Sequence, residues 1–454
     1  MPDREENAYR ESIAWLESFI DYERTGLAGL RSERYSLDHF IEFMRRLENP
    51  QNKLRLVHIA GTKGKGSTGS LLAAILATAG YKVGFYSSPH LVDYRERIQI
   101  NGEWIPEGHF SEVIDILRSE WRTLGSPGTH TFRTVFELLT AACFLYFSRQ
   151  KIDIGFIETG LGGRLDATNI ITPILSVITV IGYEHQYLLG NTIEEIATEK
   201  AGIIKPGMPV VVAEQVYPEA LHVLTKASHK DQSPLYQAEK TVLVREREIV
   251  TEGQRLLIEM DGGRFVVFTS MHGEHQVRNI QTVLMTVGEL RKAGFVIPQS
   301  AIIQGINDWR IPGRIEILSR DPLIILDGAH CRLSMRSLIQ TLPEIQQGKR
   351  FIFLMALMSD KEPQPLLEPI IERYPESMIL CYPAPTPRTM SPDLLVQRIS
   401  ETGLNARAFS SSDRAVWFAM NILNHGYAGI VQCGTFYSII PVRRQFQQIL
   451  GIKN

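Results

Sequence analysis

The chain has 454 residues, of which 44% are hydrophobic and 22% charged, the composition expected of a soluble globular protein. Its formal net charge of −2 excludes a strong overall attraction to nucleic acid or to a membrane surface. No apolar segment approaches the ~20 residues that a membrane-spanning helix needs. The length exceeds that of one ordinary hydrophobic core and predicts two domains.

The chain start and the cysteines concern the cellular compartment. The first seven residues are charged and lack the apolar core of a secretory signal peptide. The cysteines are far apart and have no metal-binding spacing, so we expect buried thiols in a reducing compartment: Cys143, Cys331, Cys381 and Cys433. A cytoplasmic protein is therefore expected.

Alternating strands and helices predict a parallel sheet that helices cover on both faces. Residues 8–47 look helical, and residues 192–203 form a second predicted helix that begins at an N-cap, Thr192. Residues 241–269 predict an antiparallel hairpin, and a domain boundary is expected near residues 307–314. The other predicted strands are residues 54–59, 82–86, 153–157, 174–181, 323–326 and 351–354.

A glycine-rich loop, residues 60–68, follows the predicted strand at 54–59 and precedes a predicted helix at 67–80. Strand, glycine loop and helix present free backbone N–H groups to phosphate, so this segment predicts a nucleoside triphosphate site. Lys65 then reaches the terminal phosphates, and Ser67 or Thr68 offers a hydroxyl to Mg²⁺. The glycine spacing differs from that of the common P-loop, and the alternative is a turn that binds nothing.

Three further residues are candidate site residues. Glu158 ends a predicted strand just before three glycines, where a carboxylate is well placed to hold Mg²⁺; the alternative is a solvent-exposed carboxylate. His185 follows another strand and is a candidate metal ligand or proton carrier, or a solvated loop histidine. Lys200 lies near the end of the next helix, where a lysine commonly compensates the helix dipole.

Taken together, these segments resemble folylpolyglutamate synthase/dihydrofolate synthase, the folate branch of the Mur ligase superfamily. The resemblance extends over nearly the whole chain in the same order. Its motifs are residues 47–51, 61–67, 87–91, 96–98, 158–169, 185, 199–202, 273–276, 279, 312–314, 327–330 and 434–437.

The resemblance implies a fold and a set of roles. It implies an α/β protein in which a P-loop-type, mostly parallel ATPase domain (1–309) precedes a smaller Rossmann-like α/β domain (310–454). The active site is then the cleft between the two domains. The residues expected to bind the nucleotide are Gly61, Thr62, Gly64, Lys65, Gly66, Ser67, Thr68, Asn279 at the adenine, Arg314 at the phosphates, and Asp327. Two Mg²⁺ ions are expected at Ser67, Ser88, Glu158, His185 and a Lys200 that CO₂ has carbamylated.

The implied reaction is ATP-dependent amide bond formation. The γ-phosphoryl group of ATP activates a carboxylate of dihydropteroate or a reduced folate, and the α-amino group of L-glutamate then attacks. Lys65, Lys200, His185 and His330 are the expected catalytic residues, with His330 near the glutamate. No nucleic acid or membrane partner is expected, and the family resemblance implies a monomer. The alternatives are another Mur-type amino-acid ligase, which would need a UDP-binding domain before the loop, and a catalytically silent nucleotide-binding relative.

The sequence departs from the family pattern at four places. Lys63 replaces an asparagine in the glycine-rich loop of residues 60–68 (the phosphate loop), and Tyr183-Glu184 replaces Leu-Asp before His185. Cys331-Arg332 replaces Asn-Pro after His330, and Glu48 interrupts a Leu-Gly-Asn-Pro pattern. The substitutions beside His330 concern the amino-acid acceptor site most directly.

Overall fold

The computed structural model describes residues 2–22, 36–123 and 134–452. These residues divide into two compact units. The first comprises residues 1–247, 256–268 and 278–308, and the second comprises residues 248–255, 269–277 and 309–454. No described helix is long and apolar enough to cross a membrane.

An eight-stranded sheet forms the centre of the first unit. Its strands are β1 (Leu56–Ala60), β2 (Val83–Tyr86), β3 (Ile98–Ile100), β4 (Glu103–Trp104), β5 (Ile154–Glu158), β6 (Leu175–Ile178), β7 (Val210–Val212) and β8 (Leu235–Gln237). The spatial order is β4-β3-β2-β5-β1-β6-β7-β8. All neighbours from β2 to β8 pair in parallel, and β3 and β4 add an antiparallel edge. Every residue of β1, β2, β5 and β6 is buried, as the predicted two-sided helical cover requires.

Eleven of the described helices precede residue 309. They are α1 (Pro2–Glu17), α2 (Asp38–Arg46), α3 (Lys65–Thr78), α4 (Glu107–Thr123), α5 (Val135–Gln150), α6 (Gln186–Leu189), α7 (Ile193–Ala201), α8 (Pro218–Lys230), α9 (Ala238–Thr241), α10 (Glu274–Lys292) and α11 (Gln299–Asp308). Short 3₁₀ turns cover Pro50–Lys53, Tyr94–Arg97 and Ala167–Ile170. Helix α3 approaches the sheet closely, because a Cβ on Gly69 would lie 2.5 Å from the Phe85 ring. This close packing fixes the helix that follows the phosphate loop.

The prediction of one helical region over residues 8–47 is wrong in its middle. Helix α1 ends at Glu17, and Ile20 instead forms a parallel bridge to Thr134. The Ile20 carbonyl accepts a hydrogen bond from the Val135 amide at 3.0 Å, which replaces the helical pairing. Residues 23–35 of this prediction lie outside the described residues.

The prediction of a hairpin over residues 241–269 is confirmed, and a third strand accompanies it. Strands β9 (Leu243–Val250), β10 (Gly253–Met260) and β11 (Gly263–Thr269) form a separate three-stranded sheet in the order β11-β10-β9. Asp261 and Gly262 connect β10 to β11 with φ values of 52° and 75°. Positive φ at both central residues is the conformation of a tight hairpin turn, which an Asp-Gly pair favours.

A six-stranded sheet forms the centre of the second unit. Its strands are β12 (Glu316–Arg320), β13 (Leu323–Leu326), β14 (Ile352–Met355), β15 (Met378–Cys381), β16 (Asn405–Ala408) and β17 (Ile430–Cys433), in the order β12-β13-β17-β14-β15-β16. Only β12 is antiparallel to its neighbour. The helices are α12 (Arg332–Ile345), α13 (Gln364–Arg373), α14 (Pro392–Ser400), α15 (Ser412–Ile422) and α16 (Ile439–Leu450), with a 3₁₀ turn at Phe436–Ser438. The α/β class expected from the sequence is confirmed.

Candidate active site

The phosphate loop leaves β1 in the middle of the eight-stranded sheet, with β5 on one side and β6 on the other. Two of its glycines are required by close contacts. A Cβ on Gly61 would lie 1.8 Å from the Thr179 hydroxyl oxygen, and one on Gly64 would lie 2.6 Å from Asn279 Oδ1. Gly64 also has a φ of 93°, which L side chains rarely adopt. Asn279, expected at the adenine, therefore lies directly against the loop.

Helix α3 begins at Lys65, and no side chain at its N-cap, Gly64, caps the helix. The first amides of an α-helix lack intrahelical partners, and the helix dipole adds positive potential there. This end of the sheet therefore offers backbone N–H groups to an anion. Such an arrangement suits the phosphates of a nucleotide.

Lys65 and Glu158 meet at this helix end. The Lys65 Nζ atom lies 3.7 Å from Glu158 Oε1 and donates to the Gly61 carbonyl at 3.2 Å. Glu158 is only 5% exposed, because it is the last residue of the buried strand β5. Gly66 lies beside it, since a Cβ there would be in van der Waals contact with Glu158 Oε2 at 3.4 Å. The predicted carboxylate thus lies beside the predicted lysine.

Hydroxyl residues follow the strands on both sides of β5, the strand that ends at Glu158. Ser67 and Thr68 are in the first turn of α3, and Thr68 is fully buried whereas Ser67 keeps 7% exposure. The Thr68 hydroxyl has no hydrogen-bond partner in the part of the chain described. Ser88 follows β2, whose Tyr86 pairs with Ile157 beside Glu158. All three hydroxyls therefore lie just after the carboxyl ends of parallel strands, on the same side of the sheet as Glu158.

Lys200 comes from α7, on the other side of the loop, and is 4% exposed. Its Nζ atom donates to the Gly61 carbonyl at 3.0 Å. Burial, followed by the neighbouring positive charge of Lys65, lowers the pKa of Lys200 to about 7. The interpretation of Lys200 as a surface charge compensating the helix dipole is therefore wrong, since the side chain points into the site.

Helix α7 is fixed by its capping residues and by the second glycine loop, residues 159–166, which follows Glu158. The predicted N-cap, Thr192, accepts a hydrogen bond from the Glu195 amide, which completes a capping box. At the other end, the Arg164 amide donates to the Glu199 carbonyl at 2.7 Å. A Cβ on Gly163 would lie 2.7 Å from that carbonyl oxygen. The glycines after Glu158 therefore allow the segment bearing Lys200 to approach.

His185 follows β6 and is the residue before α6, with a left-handed φ of 52°. The residue before it, Glu184, accepts a hydrogen bond from Lys63 Nζ at 2.8 Å. Two positions that depart from the family pattern are thus paired with each other. The sequence gives no signal for this pairing, because 121 residues separate the two positions.

A buried hydrogen-bond chain lies behind the second glycine loop. His58 Nε2 lies 2.8 Å from the Thr168 hydroxyl, which donates to Asp166 at 2.6 Å. Asp166 also accepts from the Leu161 amide at 2.8 Å, and so fixes the loop between them. Because the Thr168 proton goes to Asp166, His58 donates through Nε2. Burial lowers the pKa of His58 to about 3 and raises that of Asp166. The sequence carries no signal for this role of His58, because Thr168 lies 110 residues away along the chain.

The second unit brings together Asp327, Arg314 and His330. Asp327 accepts hydrogen bonds from the Ile315 amide at 2.8 Å and the Ala329 amide at 2.7 Å. The Arg314 guanidinium lies 4.0 Å from the centre of the Phe436 ring, and His330 Nδ1 lies 2.7 Å from the Gly328 carbonyl oxygen. These residues surround the loop that leaves β13.

The departures at Cys331 and Arg332 fit the local structure of the second unit. Cys331 is the N-cap of α12, and its amide donates to the Ser334 hydroxyl at 3.2 Å. Arg332 forms an ion pair with Glu368 at 2.8 Å. All four cysteines are buried and free, as expected from their spacing.

The family resemblance implies two Mg²⁺ ions at Ser67, Ser88, Glu158, His185 and Lys200. No group of three or more histidine, cysteine or acidic residues that could enclose a metal occurs within residues 2–22, 36–123 and 134–452. Mg²⁺ does not require such a group, because it keeps several waters and binds one or two carboxylates together with substrate phosphates. Glu158 and the hydroxyls near it fit that requirement.

Comparisons with known proteins agree with this geometry. Residues 108–287 match the Mur ligase middle domain, and residues 313–435 match the Mur ligase glutamate ligase domain. The chain is 33% identical to dihydrofolate synthase/folylpolyglutamate synthase of Bacillus subtilis over 370 residues, 80% of this chain and 82% of that protein. It is 32% identical to folylpolyglutamate synthase of Lacticaseibacillus casei over 387 residues, 84% of this chain and 87% of the relative.

Solved structures show the same likeness. A folylpolyglutamate synthase of Mycobacterium tuberculosis complexed with ADP matches with a TM-score of 0.85 and 25% identity, over 99% of both chains. A complex of folylpolyglutamate synthase (FPGS) with AMPPCP and folate matches with a TM-score of 0.82 and 29% identity, over 96% of this chain and 99% of that one. The fold and site therefore define a ligase of the Mur type. More narrowly, the chain belongs to the folylpolyglutamate synthase/dihydrofolate synthase family.

Proposed function

We propose that this protein is an ATP-dependent ligase that adds L-glutamate to a carboxylate of dihydropteroate or a reduced folate through an acyl phosphate. One observation above all supports the proposal: Lys65 and Glu158 meet at the uncapped N-terminus of α3, beside a loop in which Gly61 and Gly64 leave no room for a side chain. The relatives named for the two glutamate additions support the substrate class.

The chemistry follows from the weak electrophilicity of a carboxylate. Transfer of the γ-phosphoryl group of ATP forms a bond from a carboxylate oxygen to phosphorus and breaks the bond to ADP. The glutamate α-amino group then attacks the acyl carbon, and phosphate leaves while an amine proton is lost. Lys65 and the α3 amides stabilise the charge on the transferring group. The protein acts by positioning and electrostatics, without a covalent intermediate on a side chain.

For the metal, we propose two Mg²⁺ ions held by Glu158, Ser67, Ser88, His185 and Lys200. When bound, Mg²⁺ neutralises charge that develops on the phosphoryl oxygens. The buried Glu158 carboxylate supplies the main protein oxygen, since oxygen is the ligand that Mg²⁺ prefers. Ser67 supplies the hydroxyl from α3 rather than Thr68, because Ser67 retains exposure.

We further propose that Lys200 is carbamylated. The neutral amine adds to CO₂ and loses one proton, which gives a carbamate anion in place of a cation. The buried position of Lys200 and its pKa of about 7 favour the neutral amine that this reaction needs. The new anion would then belong to the metal site. Lys200→Ala should abolish turnover with or without added bicarbonate, and full activity of that variant would contradict this role.

The remaining assignments are proposals for the nucleotide and the second substrate. Asn279 contacts the adenine, as the family resemblance implies; its position against Gly64 supports a place beside the nucleotide. Arg314 and Asp327 contact the nucleotide, and His330 lies near the glutamate site. We also propose an ATPase domain at residues 1–309, a second domain at 310–454 and a monomeric protein.

The decisive experiment offers the protein Mg²⁺-ATP and L-glutamate with either dihydropteroate or tetrahydrofolate. Mass spectrometry of the products identifies the acceptor: glutamate addition to dihydropteroate establishes the synthase step, and addition to tetrahydrofolate establishes chain extension. Nucleotide binding without addition to either acceptor would favour a catalytically silent relative instead.

A further inference from the structure

The phosphate loop contacts the segment before His185 at several points. The Thr62 amide donates to the Val180 carbonyl at 2.9 Å. The Thr62 hydroxyl donates to the Gly182 carbonyl, and it accepts from the Gly182 amide, each at 3.1 Å. Lys63 forms an antiparallel bridge with Val180. The loop and the segment from residue 179 to 184 are therefore joined along the backbone.

One side-chain contact extends this connection to the residue beside His185. Lys63 Nζ lies 2.8 Å from Glu184 Oε1, and the two side chains are 18% and 10% exposed. An ion pair that is so little exposed is weakly screened by salt, and removing one partner leaves the other charge uncompensated. The ammonium group of Lys63 is thus engaged by the protein itself.

The Lys63–Glu184 ion pair matters because two further lysines lie near the same loop. Three lysines lie around the loop: Lys63, Lys65 and Lys200. Lys63 pairs with Glu184, and Lys65 pairs with Glu158. Lys65 is 3.7 Å from its carboxylate, a longer separation than the 2.8 Å of the Lys63 pair. Lys65 is thus the more loosely paired of the two cations, although it also donates to the Gly61 carbonyl at 3.2 Å, whereas Lys63 is held closely by Glu184.

We propose that Lys63 and Glu184 act as one positioning pair that ties the phosphate loop to the segment bearing His185. On this proposal the pair sets the loop geometry for the magnesium–nucleotide complex, and Lys63 adds no second cation at the phosphates. The inference rests on the proposed nucleotide site at Lys65 and Glu158. It accounts for the two departures from the family pattern as one coupled change.

A double-mutant cycle tests the pair. Lys63→Asn, Glu184→Gln and the double variant are titrated with the ATP analogue AMPPCP, with and without Mg²⁺, by calorimetry. Each single variant should bind the Mg²⁺ complex about tenfold more weakly, and the double variant no more weakly than either single one. Lys63→Arg, which keeps the charge and the reach, should retain wild-type affinity.

The alternative role, a free cation for the phosphates, gives a different pattern. Glu184→Gln would then release Lys63 and tighten binding, while Lys63→Asn would weaken it. The proposal would be overturned if the two single variants changed AMPPCP affinity in opposite directions, or if neither changed it. It would also be overturned if the double variant lost as much affinity as the two single variants together. A wild-type protein that fails to bind AMPPCP would instead contradict the proposed nucleotide site.

Two controls separate positioning from a general loss of structure. Glu42→Gln breaks an exposed pair with Arg45 on α2 and should leave AMPPCP affinity unchanged. In steady-state assays, the Lys63 and Glu184 variants should raise KM for ATP about tenfold and leave KM for the folate unchanged. Equal increases in both KM values, together with a lower unfolding midpoint, would indicate a merely structural pair and overturn the proposal.

Discussion

The Nζ atom of Lys200 lies 3.0 Å from the carbonyl oxygen of Gly61, which places a buried amine directly under the phosphate loop. Lys63 and Lys65 are close enough to oppose a further positive charge, and burial opposes it more strongly. Glu184 partly offsets this effect. Lys200 is therefore a neutral amine above pH 7 in the folded protein.

The first prediction concerns the stability contribution of Lys200. The pKa of Lys200 falls from 10.5 in the unfolded chain to about 7 in the folded protein, so between these values only the unfolded chain holds the proton. The free energy of unfolding, relative to Lys200→Met, should therefore rise with pH from 7 to 10.5, by up to about 5 kcal/mol. Urea unfolding of both proteins in CO₂-free buffer measures the difference.

The control for this prediction is a lysine in solvent. Lys53→Met removes a side chain that is 60% exposed, and its unfolding in the same buffers controls for the loss of a lysine as such. A Lys200 difference that is flat across this range would show that the folded protein keeps the proton.

The second prediction concerns Glu158. Replacing its carboxylate with the isosteric amide in Glu158→Gln keeps the packing of β5 and removes the anion beside Lys65. We expect turnover to fall by ~100-fold or more, and the Mg²⁺ concentration for half-maximal activity to rise. Magnesium titration of ATP-dependent glutamate addition measures both. An unchanged titration curve would contradict the ligand role.

The third prediction compares Gly64 with Gly80, the two glycines that flank α3. Their φ values are 93° and 92°, but a Cβ at Gly64 meets Asn279 whereas one at Gly80 meets nothing within 4 Å. Alanine at either position should cost about 1 kcal/mol of backbone strain. Gly64→Ala should in addition weaken AMPPCP binding by about tenfold or more. Calorimetry and urea unfolding separate the effects, and equal binding by both variants would contradict the close-contact argument.

The fourth prediction concerns His58, which is fully buried and whose pKa falls to about 3. Between pH 6.5 and 3 the unfolded chain binds a proton that the folded protein excludes. The free energy of unfolding should therefore decrease as pH falls through this range, by about 1.4 kcal/mol per pH unit relative to His58→Gln. Acid unfolding of the two proteins tests this, and parallel curves would mean that the folded protein admits the charge.

Much of the first unit could be predicted from its sequence, because strands and glycine loops leave local patterns. The loop at 61–68, the strand end at Glu158 and the N-cap at Thr192 follow from such patterns. The orientation of Lys200 could not be predicted in this way, since a lysine in a last helical turn is usually solvated. Its burial depends on the approach of Gly163, a contact made only in the folded chain.

The hydrogen-bond and ion-pair networks likewise join residues that come together only in the folded chain. His58 and Thr168 are 110 residues apart, and Lys63 and Glu184 are 121 residues apart. The parallel order of β5, β1 and β6 brings these positions together. Spacing along the chain carries no information about such pairs, whereas neighbouring strand ends do once the sheet order is known.

The last prediction concerns Glu48, which interrupts the Leu-Gly-Asn-Pro pattern of the family. Its φ of 60° lies in the left-handed region, which glycine adopts without the steric cost that a Cβ imposes. Glycine loses more conformational entropy on folding, which offsets part of this benefit. The free energy of unfolding of Glu48→Gly should therefore rise by about 1 kcal/mol. Urea unfolding measures it. The ion pair with Lys53, 3.7 Å long and exposed, contributes little, so Lys53→Met should be neutral. A destabilised Glu48→Gly beside a neutral Lys53→Met would show that the glutamate side chain itself stabilises the turn.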